Sequence, residues 1–187
     1  MPITNSQPAF TLRLASPEDI PALHLLIERS VRGLQQNDYS PAQIEGALGH
    51  ALGLDTQLIE DQTYFIANPA GDPATLAGSG GWSFRSTLFG SDHGPDRGAG
   101  LLDPRTGAAK IRAIFVDPDF ARRGLGTLIL GHCEQVARQA GFNRFEMGST
   151  LTGLALYSRK GYVESKRVNV PLPNGSVLPI VRMTKTA

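Results

Sequence analysis

One segment of the sequence constrains the fold more than any other: an apolar strand that passes through a glycine-containing turn into a long helix. Residues 109–116 are mostly apolar and predict a strand. Residues 124–140 repeat apolar side chains at helical spacing, and Gly141 is a typical C-cap. On this helix we place Leu128 on the inward face and Glu134 on the outward face. A strand followed directly by a helix indicates an α/β domain.

The turn between strand and helix has the composition of an anion-binding site. Gly124 and Gly126 let the backbone approach a ligand closely, and the start of the helix leaves N–H groups without partners. Phosphate is the usual ligand of this geometry, and Arg122 and Arg123 add cations that suit it. A third glycine and a following acidic residue, needed for a dinucleotide fingerprint, are missing, as is the Gly-Lys-Ser/Thr of a nucleotide hydrolase. A turn without any ligand stays open as the alternative.

The remaining elements complete a mixed α/β sheet, which we assign to one domain over residues 1–187. Ser16 and Pro17 are typical of a helix start, and the apolar residues that follow extend the helix to Val31. Further helices are predicted at 41–48 and 151–159. Strands are predicted at 10–14, 63–67, 75–82, 109–116, 142–147, 162–170 and 177–183, the last two joined by a hairpin at Asn174-Gly175.

The overall composition excludes several classes of function. There are 18 basic and 17 acidic residues, so no bulk charge points to nucleic acid or an anionic membrane. No apolar run approaches the ~20 residues of a membrane helix, and the N-terminus lacks a secretory signal, so a cytoplasmic protein is expected. Cys133 is alone and is expected in the core. The four histidines lack metal-ligand spacing, so no metal is expected.

Two segments resemble signatures of the GNAT superfamily of acetyl-CoA-dependent N-acetyltransferases. Residues 121–126, Ala-Arg-Arg-Gly-Leu-Gly, are similar to its motif A, Gln/Arg-x-x-Gly-x-Gly/Ala, with Ala121 in place of the first residue. Residues 155–162, Ala-Leu-Tyr-Ser-Arg-Lys-Gly-Tyr, are similar to its second signature, and residues 11–25 to its opening. The resemblance implies a mostly antiparallel sheet of about seven strands flanked by about four helices.

The resemblance also implies a set of residues that bind acetyl-CoA. The backbone of the strand end would pair with the pantetheine arm like an added strand, and the turn would hold the diphosphate. The residues concerned are Ile114, Phe115 and Val116 for the arm, and Arg122, Arg123, Gly124, Leu125, Gly126 and Thr127 for the diphosphate. Thr150 stands where the family commonly has asparagine; it hydrogen-bonds the pantetheine or caps the next helix, and both interpretations remain open.

The same resemblance assigns Tyr157 as the acid that protonates the departing thiolate; the alternative is a packed aromatic. The general base has no such counterpart, because Arg112 stands where many relatives have glutamate. Arg112 either binds a substrate carboxylate or pairs with Glu146 on the neighbouring strand. The candidates for the base are Glu28, Asp38, Tyr39 and His93, each with a structural role as its alternative.

The leading hypothesis is an N-acetyltransferase that acts on an amine of a small molecule or peptide by direct transfer. The rival is a module of the same fold that binds or senses acyl-CoA without turnover. Residues 85–108, rich in glycine, aspartate and proline, are predicted to border the acceptor site and to be mobile when it is empty. Trp82 lines the acceptor pocket or belongs to the core. Whether two copies form a homodimer is left open.

Overall fold

The computed structural model describes residues 9–94 and 100–187. Seven strands form a single sheet in the order β1-β2-β3-β4-β5-β7-β6. The strands are β1 Phe10–Leu14, β2 Tyr64–Pro69, β3 Gly78–Ser83, β4 Ala109–Val116, β5 Arg144–Ser149, β6 Val163–Pro171 and β7 Val177–Thr186. The helices are α1 Ile20–Leu34, α2 Pro41–Ala47, α3 Thr56–Glu60, α4 Leu125–Gln139 and α5 Leu154–Arg159, with 3-10 turns at Pro17–Asp19, Pro118–Phe120 and Leu151–Gly153. None of the helices in the described ranges is long and apolar enough to cross a membrane.

All neighbouring strands are antiparallel except β4 and β5, which run parallel. This arrangement confirms the predicted mostly antiparallel seven-stranded sheet. The parallel pair is short: Ala109 lies opposite Phe145 and Lys110 opposite Glu146, and the described residues of the two strands pair no further. From Ile111 onward β4 therefore has a free edge on the β5 side, at the end of the strand that leads into α4.

Helices cover both faces of the sheet and enclose two hydrophobic clusters. On one face α1 buries Leu23, Ile27 and Val31. On the other face α4 buries Ile129 and Cys133. Burial raises the pKa of the Cys133 thiol, so the expected core position of this residue is confirmed. The opening between β4 and β5 lies between these two layers.

The start of α1 follows the predicted signals. Ser16 and Asp19 form a capping box, and Pro17 occupies the first position of the 3-10 turn. Arg13 on β1 donates two hydrogen bonds of 2.8 Å to the Asp19 carboxylate. These contacts lower the pKa of Asp19 to about 2, and they fix the point at which the chain leaves β1 for the helix.

Two expectations about helices were wrong. Helix α3 was not predicted; Asp55 starts it by accepting from the N–H of Gln57 at 3.1 Å. On α4, Leu128 is 41% exposed and Glu134 is only 5% exposed, the reverse of the prediction. Glu134 is buried because Lys185 on β7 and the hydroxyl of Tyr162 both hydrogen-bond its carboxylate, at 2.8 and 2.9 Å. Helical periodicity could not anticipate partners so distant in sequence.

Candidate functional site

A cavity of about 70 Å³, here called the central cavity, lies where β4 and β5 diverge. Both strands line it, together with α5, the end of α1 and two loops. Its residues are Gln35, Ala51, Leu52, Gly53, Phe89, Gly90, Ile111, Arg112, Ala113, Ile114, Phe115, Met147, Gly148, Ser149, Thr150, Tyr157 and Ile180. The fold thus brings Ile114, Phe115, Thr150 and Tyr157, which the sequence assigned to one site, to the walls of one cavity.

A β-bulge shapes the β4 wall of the central cavity. The register between β3 and β4 shifts at Gly80, and Ala113 has a left-handed φ of 52°. The hydroxyl of Tyr64 donates to the Ala113 carbonyl at 3.0 Å and lies 2.9 Å from the hydroxyl of Ser79. Because Tyr64 is fully buried, burial raises its pKa and the phenol stays protonated. A buried side chain from β2 therefore holds the backbone distortion beside the cavity.

The free edge of β4 is only partly available to a ligand. The N–H of Val116 donates to the hydroxyl of Ser30 on α1 at 3.2 Å, so this donor already has a protein partner. Val116 is also absent from the residues that line the central cavity, whereas Ile114 and Phe115 belong to them. Of the three predicted strand residues, the structure places two at the cavity.

Residues 117–126, which lead into α4, are here called the α4 turn. Hydrogen bonds hold the first residues of this turn to α1. Arg29 on α1 donates to the Asp117 carboxylate at 2.7 Å and to Asp119 at 3.0 Å. Hydrogen bonding from Arg29 lowers the pKa of Asp117. Asp117 also accepts from the N–H of Asp119 at 2.9 Å and so starts the short 3-10 turn. The second half of the α4 turn is positioned by these contacts.

The second half of the α4 turn presents backbone donors to solvent. Arg122 and Gly124 have left-handed φ angles of 64° and 79°, and Gly124 is the N-cap of α4. In the part of the chain that the structure describes, no carbonyl accepts from the N–H of Arg122, Arg123 or Gly124. The first residues of α4, Leu125 to Thr127, have no acceptor within the helix. A Cβ atom on Gly124 would meet nothing within 4 Å, so the space in front of the turn is open.

The two arginines of the α4 turn are exposed. The guanidinium of Arg123 lies over the ring of Phe120, 5.6 Å from its centroid, and neither arginine forms an ion pair with any residue that the structure describes. Both charges therefore add to the positive end of the α4 dipole. This arrangement suits an anion such as a diphosphate.

Tyr157 faces the central cavity from α5. Its ring packs edge-to-face against Tyr162, with 6.1 Å between the ring centroids. Within the described ranges its hydroxyl has no hydrogen-bond partner, and burial raises the pKa of the phenol. The packed-aromatic interpretation is confirmed, because the ring packs against the core on the α4 side, and Tyr157 also lines the central cavity. Its role as an acid stays a prediction.

Thr150 caps the helical segment that follows β5. Its Oγ1 accepts from the N–H of Gly153 at 3.3 Å, which confirms the capping alternative. A hydroxyl that accepts one hydrogen bond still has its own proton to donate. Thr150 also lines the central cavity. The hydroxyl of the neighbouring Ser149 donates a hydrogen bond to the Thr150 carbonyl at 2.7 Å. Contact between Thr150 and a pantetheine arm stays a prediction.

Both sequence-based partners of Arg112 were wrong. Its guanidinium is buried and donates to Asp55 at 2.8 Å, to the Thr87 carbonyl at 3.1 Å and to the Gly90 carbonyl at 2.9 Å. Because these contacts occupy its N–H groups, the guanidinium has no pair of N–H donors left to bind a substrate carboxylate. The loop before α3 supplies Asp55, and this loop had no predicted structure.

Glu146, the other expected partner of Arg112, belongs to a separate cluster. Lys110 beside it on β4 and Arg182 on β7 both bind its carboxylate. Burial raises the pKa of Glu146, but the hydrogen bonds and charge of the two cations outweigh it and lower the pKa overall. The buried carboxylate is therefore ionised and balanced by the two cations.

The four candidates for the base fall into two groups. Tyr39 accepts from the N–H of Leu151 at 2.9 Å and donates to a carbonyl of β7 at 2.7 Å, and burial raises its pKa to about 12. Asp38 is exposed and accepts from Thr152 at 2.7 Å. Both residues are structural and absent from the lining of the central cavity. Glu28 and His93 differ, because both line a second opening.

This second opening, here called the side pocket, has a volume of about 380 Å³ and lies between α1 and the loops at 48–54 and 91–93. Leu52 and Gly53 line both the side pocket and the central cavity. The two spaces are therefore neighbours. Glu28, on the far wall of the side pocket, is paired with Arg32 at 2.9 Å.

The described part of the 85–108 segment borders both openings, and its predicted place at an acceptor site stays a prediction. Phe89 and Gly90 line the central cavity, and Ser91 lines the side pocket. Ser91 donates to the Gly49 carbonyl at 2.8 Å, and Arg85 binds Asp61 at 2.7 Å. These contacts anchor the described part, and residues 95–99 lie outside the described ranges. The prediction that the segment becomes ordered on substrate binding stays a prediction.

Trp82 does not line either opening. It is 3% exposed and packs edge-to-face against Phe84 and Phe142 on the α4 side of the sheet. The core interpretation is confirmed. Its indole N–H is one of two buried side-chain groups in the described ranges that lack a hydrogen-bond partner.

Gln35, which was not among the residues predicted for the site, has the second buried side-chain atom without a hydrogen-bond partner in the described ranges. Gln35 is the C-cap of α1 and is 7% exposed, and its side-chain Oε1 has no partner. A signal existed in the sequence: Gln35 continues the buried stripe of Leu23, Ile27 and Val31 at the same four-residue spacing. A polar residue on the apolar face of a helix is the unusual feature, and the structure places it at the central cavity.

Comparison with protein families matches residues 36–162 to the Acetyltransferase (GNAT) family. The matched range includes the free edge of β4, the α4 turn and Tyr157. Comparison with curated protein sequences gives no match.

Solved structures share the architecture at low sequence identity. A GCN5-related N-acetyltransferase from Rhodopseudomonas palustris has a TM-score of 0.71 at 21% identity, covering 96% of this chain and 97% of that one. The PaiA N-acetyltransferase of Thermoplasma acidophilum, in complex with coenzyme A, has a TM-score of 0.63 at 13% identity, covering 96% and 100%. YncA of Salmonella typhimurium, solved with its cofactor acetyl-CoA, has a TM-score of 0.61 at 16% identity, covering 96% and 94%. At these identities the likeness shows the fold.

Proposed function

Because the chain belongs to the GNAT acetyltransferase family, we propose that it moves the acetyl group of acetyl-CoA directly onto an amine of a small molecule or peptide. One observation carries the proposal. The central cavity lies where β4 and β5 diverge, and it is lined by the free edge of β4 and by Tyr157, whose hydroxyl is protonated and has no hydrogen-bond partner among the described residues. The α4 turn, with its exposed backbone N–H groups, follows directly after β4. A thioester with a long arm and a diphosphate needs these three features together.

The residues present fit acetyl-CoA. We assign the diphosphate to the exposed backbone donors and cations of the α4 turn. We assign the pantetheine arm to the free edge of β4, where its amides pair as an added strand does. The residues that take part are Arg122, Arg123, Gly124, Leu125, Gly126 and Thr127 for the diphosphate, Ile114, Phe115 and Val116 for the arm, and Thr150 as an additional donor. Since Ser30 holds the N–H of Val116, we expect Ile114 to contribute more to the arm than Val116.

The chemistry requires a neutral amine and a route for the thiolate to leave. The amine nitrogen forms a bond to the thioester carbon, the carbon–sulfur bond breaks, and the proton that the amine loses passes to water. We assign to Tyr157 the donation of a proton to the leaving sulfur. The phenol is protonated at neutral pH and so has a proton to donate, while burial raises its pKa and makes it a weaker acid than a free phenol.

Gly124→Val tests where the cofactor binds. The side chain would enter the open space in front of the α4 turn, and the left-handed φ of 79° adds backbone strain of about 1–3 kcal/mol. Gly71→Val is the matched control, because Gly71 has a φ of 82° with equally open surroundings in the β2–β3 turn. We expect both variants to be folded and less stable, and only Gly124→Val to lose acetyl-CoA binding in calorimetry. Equal affinity of the two variants would remove the α4 turn from the site.

Turnover separates the proposed enzyme from a module that only binds. Release of free thiol from acetyl-CoA is measured with primary amines, amino acids, polyamines and peptides with free N-termini. Acceptor-dependent release that Tyr157→Phe diminishes supports the enzyme. Binding without any turnover across this panel supports a sensor of the same fold.

A further inference from the structure

The central cavity contains a polar group that no part of the protein uses. Gln35 enters it from the end of α1, and in the described ranges no donor reaches its Oε1. Leaving a buried acceptor unpaired destabilises a protein, and such groups are rare in native structures. The backbone of Gln35 is ordinary, since its N–H continues α1 by donating to the Val31 carbonyl at 3.2 Å. The carboxamide thus follows a regular helix end, and its Oε1 is buried and unpaired.

A ligand group that forms a hydrogen bond with Gln35 Oε1 must bring an N–H or O–H donor into the cavity. The proposed function offers two sources: the amides of the pantetheine arm and the acceptor amine. The pantetheine amides already have partners in the proposal, because the free edge of β4 supplies carbonyls for them. The amine has no assigned partner in the central cavity, since Tyr39 is engaged elsewhere and Glu28 and His93 line the side pocket instead.

The position of Gln35 also favours the amine. It belongs to α1, which covers the face of the sheet opposite to α4. On this α1 face the side pocket lies next to the central cavity, and Leu52 and Gly53 line both. At about 380 Å³ the side pocket is in the range of small-molecule sites, whereas the central cavity of about 70 Å³ holds only the reacting ends. An acceptor whose body lies in the side pocket would have its reacting end close to the central cavity, which Gln35 lines.

We infer that Gln35 Oε1 accepts a hydrogen bond from the acceptor amine and so aims the nitrogen lone pair at the thioester carbonyl. The inference rests on the proposed function and adds to it the residue that positions the nucleophile. A neutral primary amine has two N–H bonds and one lone pair. Binding one N–H to a fixed acceptor restricts the direction of the lone pair, and such orientation lowers the barrier of a direct transfer. Gln35 is a positioning residue and takes no proton itself.

Gln35→Met tests the inference, because methionine keeps the length of the side chain and removes the acceptor. Gln36→Met is the matched control: Gln36 is the next residue, is exposed, and makes only a 3.4 Å contact to the Gly33 carbonyl. Three measurements are compared: acetyl-CoA affinity by calorimetry, kcat/KM for the best amine of the panel, and thermal melting without ligand. We expect unchanged acetyl-CoA affinity and a kcat/KM reduced by roughly 5- to 100-fold, since the bound amine would leave an N–H unpaired.

Melting gives a readout that does not depend on turnover. If Oε1 is unpaired in the free protein, Gln35→Met melts at the wild-type temperature or above it. A lower melting temperature would reveal a structural partner and overturn the inference. A weaker acetyl-CoA affinity would assign the carboxamide to the cofactor and overturn it equally. Wild-type kcat/KM in Gln35→Met would refute the role of Gln35 alone, whereas a wild-type protein that acetylates no amine would refute the proposed function and this inference together.

Discussion

Replacing Arg112 by methionine removes the charge that balances Asp55 in the interior. The two side chains are only 2% and 7% exposed, and the pair is 2.8 Å long. Breaking a buried pair from one side costs ~3–5 kcal/mol, because the remaining charge stays desolvated. For a chain of 187 residues, each kcal/mol lowers the melting temperature by about 2–4 °C, so a decrease of roughly 6–20 °C is expected.

A double-mutant cycle separates the pair from its surroundings. Asp55→Asn keeps a side-chain oxygen that caps α3, so its effect reports mainly the lost charge. The double variant Asp55→Asn/Arg112→Met should be less destabilised than the sum of the single variants, with a coupling of ~1–3 kcal/mol. Arg105→Met is the control, because Arg105 is 87% exposed and its pairing with Asp103 should leave the melting temperature unchanged.

Thermal melting and urea denaturation of the four proteins decide the outcome. The Arg112 contacts to Thr87 and Gly90 also fasten the loop that lines the central cavity, so Arg112→Met should raise the KM for the acceptor as well. A single variant that melts within about 2 °C of the wild type, or a double variant whose effects simply add, would refute the importance of this pair.

Two further predictions concern the reaction and the acid stability. Tyr157→Phe should lower kcat by roughly 10- to 1,000-fold with little change in acetyl-CoA affinity, because the phenol acts in the transition state; a kcat equal to wild type when chemistry limits the rate would exclude the acid. Asp19, whose pKa is about 2 in the folded state against about 3.9 unfolded, stabilises the protein above pH ~4 and loses this effect as the pH falls towards 2. The wild type should therefore exceed Asp19→Asn in stability by on the order of 1 kcal/mol at neutral pH, since partly exposed Arg13 is screened, and this difference should vanish near pH 2 in urea titrations.

The sequence alone determined the elements and the outline of the site where the information is local. Capping at Ser16, the alternation of β1 and the glycine at the start of α4 depend on neighbours a few residues away, and each was predicted in place. The family resemblance of residues 121–126 and 155–162 named the α4 turn and Tyr157, and the family match includes both segments. These features can be predicted from the sequence because backbone conformation and helix capping depend on residues close together in the chain.

Only the tertiary structure decided which polar groups meet. Arg112 binds Asp55, 57 residues away in the sequence, although a substrate carboxylate or Glu146 was predicted as its partner. Glu134 binds Lys185, 51 residues away, although it was predicted to lie on the outward face of α4. The bulge at Ala113 depends on a tyrosine from β2, and the unpaired Oε1 of Gln35 depends on the absence of any donor from the elements around the cavity. Desolvation and hydrogen-bond satisfaction are properties of the assembled interior, so no local pattern specifies them.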